Sequence, residues 1–496
     1  MLRNAFSALL LPVLVLLAGC QRSHRVAPVT ITEENRREGT TEWQLTKVRE
    51  DTCRITVPYE EIFLCRNRDI EGYTAKTSVK AGDTLQVFVS TDPPASYRVD
   101  IFRMGYYGGK GARHMKSIGP LQGITQPTPE DGEKNLRECR WDKSFEIVIP
   151  DDWLSGVYLG KMQNELTGYQ SYIVFVVKDE RKADLMFQVS DLTWQSYNRW
   201  PEWRSAYDWT YASGGHNPWH TGPGAEVSFD RPYSFYMNGL PVGLLPYING
   251  SGEFLLWEYP LAYWLEEKGY DVTYVSNLDV HENSDELLRV KGFLSVGHDE
   301  YWTREMYDNV TAARDAGVNL LFLGGNSLSG EVYLKPSYDG RPNRIFGRID
   351  RFKDEHHLMG AKSYGVGLAH WVCEAPDHWV FANTGLKKGD AIEDLVGWEY
   401  HGFPLDTIHN VTVLATGPMD EPVDDERYAA TIYETASGSF VFNAATCWWN
   451  MPLSNPPGKP KTLNPRGLFT GHSLDGTRID ARVQTITENL LRRAIQ

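Results

Sequence analysis

The sequence predicts a mixed fold: a β-sandwich of immunoglobulin-like type followed by a doubly wound α/β domain. Three observations carry that expectation. Residues 72–180 hold short alternating runs (TLQVFVST, SYRVDIFRMGYY, SFEIVIP, GVYLGKM, SYIVFVVKD) separated by turn residues. After Lys182 strands alternate with amphipathic helices. The chain has 496 residues, too many for one ordinary core, so two or three domains are expected.

Residues 1–20, MLRNAFSALLLPVLVLLAGC, read as an address rather than fold. The apolar run is too short and wrongly flanked for a spanning helix. Leu17-Ala18-Gly19-Cys20 resembles a bacterial lipobox, with cleavage before Cys20 and acylation of that cysteine; a plain secretory signal is the alternative. Both place the mature chain outside the cytoplasm, and the lipobox would anchor it to the bacterial cell envelope. Residues 21–70 read as a polar tether and N-terminal extension, 71–182 as the sandwich, and 183–496 as the α/β domain.

Within that last part ADLMFQVS (183–190) reads as a buried strand and PLAYWLEEKGY (260–270) as a helix with one apolar face. DVTYVS is a strand, SDELLRV a short helix capped by Ser284, and GFLSVG a strand. TREMYDNVTAARDAG follows as a helix with Thr303 at its N-cap and Gly317 as its stop. VNLLFLGGN is the next strand, VTVLAT, AATIYET and SFVFNAAT extend the sheet, and ITENLLRRAI closes the chain as a helix. Residues 191–259 interrupt this order with a long aromatic, Gly/Pro-rich insertion, and loops of that length are usually functional.

The formal net charge of -15 argues against nucleic acid as a partner. Sixteen tryptophans can build core, but such side chains also line pockets and sugar-binding surfaces. Besides Cys20 there are Cys53, Cys65, Cys139, Cys373 and Cys447, at no zinc spacing. An oxidising compartment permits disulfides, with Cys53 near Cys65, Cys373 in the same half as Cys447, and Cys139 left over.

In open α/β sheets ligands bind outside the carboxyl ends of the strands. Each strand here runs into polar or small residues: Asp191, Trp194, Gln195 and Tyr197; then Asn277 and Asp279; then His298, Asp299 and Glu300; then Gly324, Gly325 and Asn326. That convergence puts GHDEYW at the mouth of a candidate site. Glu300 would serve as acid/base or as a metal ligand, and His298 as ligand or proton shuttle. Helix capping by Asp299 or Glu300 is the plainer reading. No G-x-S-x-G, P-loop, G-x-G-x-x-G before a helix, or H-E-x-x-H is present. TWQSYNRWPEWRSAYDWTY adds phenols, which a ferric ion can deprotonate because charged oxygens suit a hard cation.

The set FRMGYYGGKGAR, TWQSYN, SAYDW, VSFDRPY, WLEEKGYDV, VGHDEYW and LFLGGN, in this order from about Glu71 onward, resembles the large (β) subunit of N,N-dimethylformamidase and its C-terminal-domain relatives. The resemblance implies a β-sandwich joined to a glutamine-amidotransferase-like α/β domain. It also implies a mononuclear iron (Fe3+) held by two tyrosines and a glutamate, hydrolysing an amide C–N bond. Matched residue by residue, Glu300 is the carboxylate ligand and His298 its catalytic neighbour. Tyr197 is the first tyrosine ligand and Tyr207 the second, with Tyr211, Tyr233 and Tyr236 as rivals. Asn326 matches a pocket asparagine and Glu434 a later acid/base contributor. The family pattern has Pro where Asp299 stands, a departure expected to bear on which substrate fits. A small amide or a cell-envelope amide would be the substrate, and an oligomer is compatible with the resemblance.

Two other readings differ in kind. A non-catalytic surface carbohydrate-binding protein would use Trp200, Trp203 and Trp209 as an exposed platform. A glycosidase would pair Glu300 with Glu258 or Glu434 at the separation its stereochemistry requires.

Overall fold

Alternation of side chains across β-strands builds the N-terminal half. The computed structural model describes residues 30–48, 51–57, 59–201, 205–207, 225–234, 248–405, 410–420, 426–459, 462–463, 474–475 and 478–496. Strands β1 (Glu71–Thr74), β2 (Ser78–Lys80), β3 (Thr84–Ser90), β4 (Ser96–Met104), β5 (Ala112–Gln122), β6 (Phe145–Val148), β7 (Gly156–Asn164) and β8 (Gln170–Lys178) form two sheets. One is five-stranded in the order β2-β8-β7-β4-β5, the other three-stranded in the order β1-β3-β6. Ile173, Phe175 and Val177 of β8 face a core shared with Leu85, Val87 and Val89 of β3. Tyr172, Val174 and Val176 point the other way, into the core of the C-terminal half. Period-two alternation thus makes β8 apolar on both faces.

That second face is why the two halves adhere. Arg103 of β4 and Glu266 meet fully buried, Nη2 to Oε1 at 2.8 Å and Nη1 to Oε2 at 3.0 Å. Residues 30–48 do not hang as a tether. Thr30 caps a short helix, Ile31–Glu34, and Trp43 is buried, donating from Nε1 to the Lys110 carbonyl. The apolar Ile31, Trp43 and Leu45, spaced too irregularly to read as an element, hold the segment down.

The C-terminal half begins with β9 (Leu185–Val189) and helix α1 (Asp191–Tyr197), then β10 (Glu226–Ser228), α2 (Tyr259–Lys268), β11 (Val272–Ser276) and α3 (Asn277–Glu282). Next come β12 (Gly292–Gly297), β13 (Tyr301–Thr303), α4 (Arg304–Asp315), β14 (Asn319–Gly324), β15 (Gly330–Lys335) and β16 (Ile345–Arg351). β17 (Lys362–Val366), β18 (Glu399–Gly402), β19 (Thr412–Pro418), β20 (Arg427–Glu434), β21 (Phe440–Asn443) and α5 (Ala481–Ala494) complete it. The main sheet runs β11-β9-β12-β14-β21-β20-β19. Its first five strands are parallel, and β20 pairs antiparallel with both β21 and β19. Thr303 caps α4 as expected, accepting from Met306 N. For the helix at 284 the cap is Asn283, one residue earlier than Ser284.

The whole is a mixed α/β protein of several sheets and few helices. A second sheet, β10-β16-β15-β13, was not legible from periodicity, because two of its strands are three residues long and the other two are partly exposed. Among the described residues no helix is long and apolar enough to cross a membrane. Cys20 and the leader lie outside the described residues.

Candidate functional site

Three backbone locks bring distant side chains together at the carboxyl edge of the parallel strands. The Asn277 amide donates to Asp191 Oδ1 at 2.8 Å and the Leu192 amide to Asn277 Oδ1 at 3.0 Å, fixing the start of α1 after β9. Arg231 fixes its end, donating to the carbonyls of Gln195, Asn198 and Trp200 at 2.9–3.1 Å. A cation at a helix C-terminus satisfies carbonyls that lack helical partners. Thr193 Oγ1, one turn into α1, accepts from the amides of Glu300 and Tyr301 at 2.9 and 3.2 Å. Tyr197 and Glu300 are thereby referenced to the same helix.

Gly297 makes the turn out of β12 with φ 68°, and a Cβ there would come within 2.7 Å of Trp257 Cβ. Only glycine combines that backbone with that approach. Gly325 does similar work after β14: a Cβ would collide with the Glu399 carbonyl oxygen, so the missing side chain lets β18 close on the site.

The Tyr197 hydroxyl donates to Glu300 Oε2 at 2.6 Å, and the Tyr207 hydroxyl to Tyr197 Oη at 2.6 Å. Tyr207 Oη also lies 3.3 and 3.4 Å from the Glu300 oxygens, and the two rings stack at 4.7 Å between centroids. The Tyr301 hydroxyl adds a third phenol, 2.5 Å from Tyr207 Oη. Burial first, then the nearby carboxylate, holds the Tyr197 and Tyr207 phenols far above their ordinary range. Burial and then Glu399 push Glu300 up to about 7, against the pull of His298 and the Tyr197 hydrogen bond. The phenol protons therefore stay in place until something strongly cationic displaces them.

His298 is buried between acids. Its Nε2 makes a close ion pair with Glu399 and lies 3.5 Å from Glu300 Oε2, while Nδ1 is 3.8 Å from Glu253 Oε2. Burial works against the imidazolium, yet Glu399, foremost among its neighbours, keeps the proton on well above the usual histidine range. His298, Glu399 and Cys447 also present ligand-type atoms within 4.8 Å of one another. Burial pushes the Cys447 thiol up to about 12, so sulfur is the poorest donor of the set.

Several expected residues fall elsewhere. Asp299 turns away from the phenols, accepting from Gln188 Nε2 at 2.6 Å, Ser295 Oγ at 2.8 Å and Asn277 Nδ2 at 3.1 Å. It ties three strand ends together and adds no charge to the donor cluster. Glu434 is a correction: β20 runs antiparallel to β21, so its last residue sits at the opposite edge, exposed and paired with Arg493 at 3.1 Å. Glu399 of β18 takes the place expected of it. Nothing in WEYHG signalled this, since one glutamate at a short strand carries no periodic mark.

Asn326 follows β14 with φ 52°, 5% exposed, and its side chain makes no hydrogen bond with the described residues. Tyr233 packs against Trp194 and lies near Asp191, away from Glu300, while Tyr211 and Tyr236 are outside the described residues. Trp200 is buried and donates to Glu71 Oε2 at 2.7 Å, which removes it from any exposed platform; Trp203 and Trp209 lie outside the described residues. Glu258 accepts from Trp194 Nε1 at 2.8 Å and Ser190 N at 3.2 Å, so it does not face Glu300 as a second catalytic acid. Cys139, Cys373 and Cys447 are unpaired buried thiols, and the side chains of Cys53 and Cys65 lie outside the described set.

Fold and site together define an α/β protein with a buried, oxygen-lined candidate centre at the carboxyl edge of its sheet. The family model described as "N,N-dimethylformamidase beta subunit-like, C-terminal" matches residues 98–462, and the chain belongs to that family. Over 409 residues it is 27% identical to the N,N-dimethylformamidase beta subunit of Paracoccus aminophilus, covering 65% of this chain and 53% of that protein. The beta subunit from Alcaligenes sp matches with the same identity and coverage. The chain spans about half the length of these curated relatives.

Proposed function

We propose that this protein is an amidohydrolase that holds one ferric ion on Tyr197, Tyr207 and Glu300 and cleaves amide C–N bonds outside the cytoplasm, anchored through an acylated Cys20. On this reading the N-terminal sheets are an immunoglobulin-like sandwich domain ending near residue 182, and the remainder is an amidotransferase-like α/β domain.

The observation that carries the proposal is the convergence of two phenol oxygens and a carboxylate within 2.6–3.4 Å of one another. Metal–oxygen bonds of about 2.0–2.1 Å at right angles separate neighbouring donors by about 2.8–3.0 Å. The donors are all hard oxygens, the choice for a small, highly charged cation. The residues fit the group.

When bound, such an ion would supply Lewis acidity, acidifying water and polarising a carbonyl. The protein's own residues do the rest. Tyr197 and Tyr207 would give up their phenol protons to hold it, beside the Glu300 carboxylate. His298, charged and backed by Glu399, delivers a proton to the departing amine nitrogen as the C–N bond breaks and the water oxygen joins the carbonyl carbon. Asn326, with its amide uncommitted among the described residues, donates to the developing oxyanion. The products are a carboxylate and an amine. The relatives are named for N,N-dimethylformamide, and a small amide or a cell-envelope amide is the substrate class proposed here.

Purified protein loaded with ferric iron is expected to show a visible phenolate-to-iron absorption band and to release amine from an amide panel. Glu300→Gln should abolish release. A folded protein that takes up no iron, or a Glu300→Gln variant that keeps full activity, would overturn the reading.

A further inference from the structure

Strand β16 leaves the core at one residue. Ile345, Phe346, Gly347 and Arg348 are buried, whereas Ile349, Asp350 and Arg351 are exposed. Arg348, 9% exposed, is the last side chain before solvent, and its guanidinium lies 5.8 Å from the centroid of the Tyr301 ring. The Tyr301 hydroxyl in turn is 2.5 Å from that of Tyr207. A cation therefore stands one aromatic ring from the donor cluster, where the interior meets water.

Three other arginines of this half are paired with carboxylates. Arg344 and Arg341 both pair with Asp230 at 2.8 Å, and Arg304 with Glu331 and Asp354 at 3.0 and 2.8 Å. Among the described residues no carboxylate forms an ion pair with Arg348, and its Nε meets no acceptor. Burial opposes its charge, and the oxygens of Tyr301, Tyr207 and Glu300 hold it charged. The Tyr301 hydroxyl is its hydrogen-bond partner, and its Nε edge stays without an acceptor among the described residues. A buried guanidinium without a carboxylate is costly, and its planar fork matches a carboxylate with two parallel hydrogen bonds.

We infer that Arg348 docks a carboxylate carried by the substrate, so that the site prefers amides bearing an anionic group, such as N-acyl amino acids, over neutral amides. The inference rests on the amidohydrolase reading of the same site for the word substrate, but not for the anion contact itself. Asp299 does not oppose it, since that carboxyl faces the strand ends rather than the phenols.

The matched pair N-acetylglycine and N-acetylglycinamide tests it. Calorimetric binding to metal-free protein and kcat/KM for the iron-loaded protein are measured for both, in wild type, Arg348→Gln and Arg348→Lys. Wild type should favour the anionic member about tenfold or more. The ratio should fall to near one in Arg348→Gln and recover in part in Arg348→Lys. Equal binding of the pair by wild type needs no variant and overturns the inference. So does an Arg348→Gln protein that shifts the phenolate-to-iron band while keeping the preference, for then Arg348 serves only the phenols. Iron-loaded protein that hydrolyses both amides equally sinks the inference and leaves the amidohydrolase reading standing. Arg348-dependent binding of N-acetylglycine by a protein that takes up no iron sinks that reading and leaves the anion site standing.

Discussion

The Tyr197 hydroxyl and the Glu300 carboxylate meet at 2.6 Å across 103 positions of sequence. The phenol would not keep its proton in that contact against a tightly bound trivalent ion, because the same oxygens would become ligands. Tyr197→Phe and Tyr207→Phe should each weaken ferric binding and remove or shift the phenolate band. Tyr233→Phe, packed on Trp194, should leave the band in place. Iron titration followed by visible absorption separates the three.

Glu399 is the carboxylate next to His298, and Glu434 is not. Glu399→Gln should lower kcat by about 10²–10⁴-fold, the usual contribution of positioned acid–base groups, with iron still bound. Glu434→Gln should leave turnover unchanged. Steady-state kinetics on one amide decides between them; the reverse pattern would restore Glu434 to the site.

Asp191 predicts a pH-dependent stability. Burial raises its carboxyl from the ordinary 3.8 to about 7, while the Asn277 amide pulls it down. The folded state thus binds a proton that the unfolded state has already lost between those values. Its contribution is fully present below about 3.8 and is lost as pH rises through about 7. Relative to Asp191→Asn, wild type should lose unfolding midpoint across that window and hold a constant difference above it. Urea melts of the two proteins at a series of pH values give the slope; a difference that stays flat would contradict the assignment.

Arg103 and Glu266 clamp the N-terminal sheet to α2. Removing one partner strands a buried charge, so Arg103→Met should cost roughly 3–5 kcal/mol. Replacing both should cost less than the sum of the two single changes. Glu266 also accepts from Tyr274 and Asn35 at 3.1 and 2.8 Å, and Arg103 also donates to the Ser155 carbonyl and Tyr107 Oη at 2.7 and 2.9 Å, so either single variant leaves further buried groups unmatched. A denaturant double-mutant cycle reads the coupling.

The leader makes a prediction of its own. If Cys20 is acylated, the native protein partitions with membranes and Cys20→Ser does not. Fractionation after expression in a bacterial host checks it, and equal partition of the two would remove the anchor.

Much of this protein is local information. Apolar periodicity marked the strands that became β9, β11, β12 and β14, Thr303 marked its helix cap, and the rule that ligands gather at carboxyl ends of strands pointed to Tyr197, His298 and Glu300. The seven quoted motifs carried the family. Where a signal rests on neighbours a few residues apart, or on a family pattern, the sequence alone sufficed.

Only the tertiary structure decided the rest, because it depends on which strand runs which way and which side of a turn a side chain leaves. Antiparallel β20 sent Glu434 to the wrong edge, a missing Cβ at Gly325 admitted Glu399, and the turn after Gly297 sent Asp299 inward and Glu300 to the phenols. Arg348 gained its place only when β16 surfaced beside Tyr301. Contacts across a hundred residues have no period and leave no mark in composition, so the distances within the donor cluster, and the place of Glu399 beside it, became visible only once the chain had closed on itself.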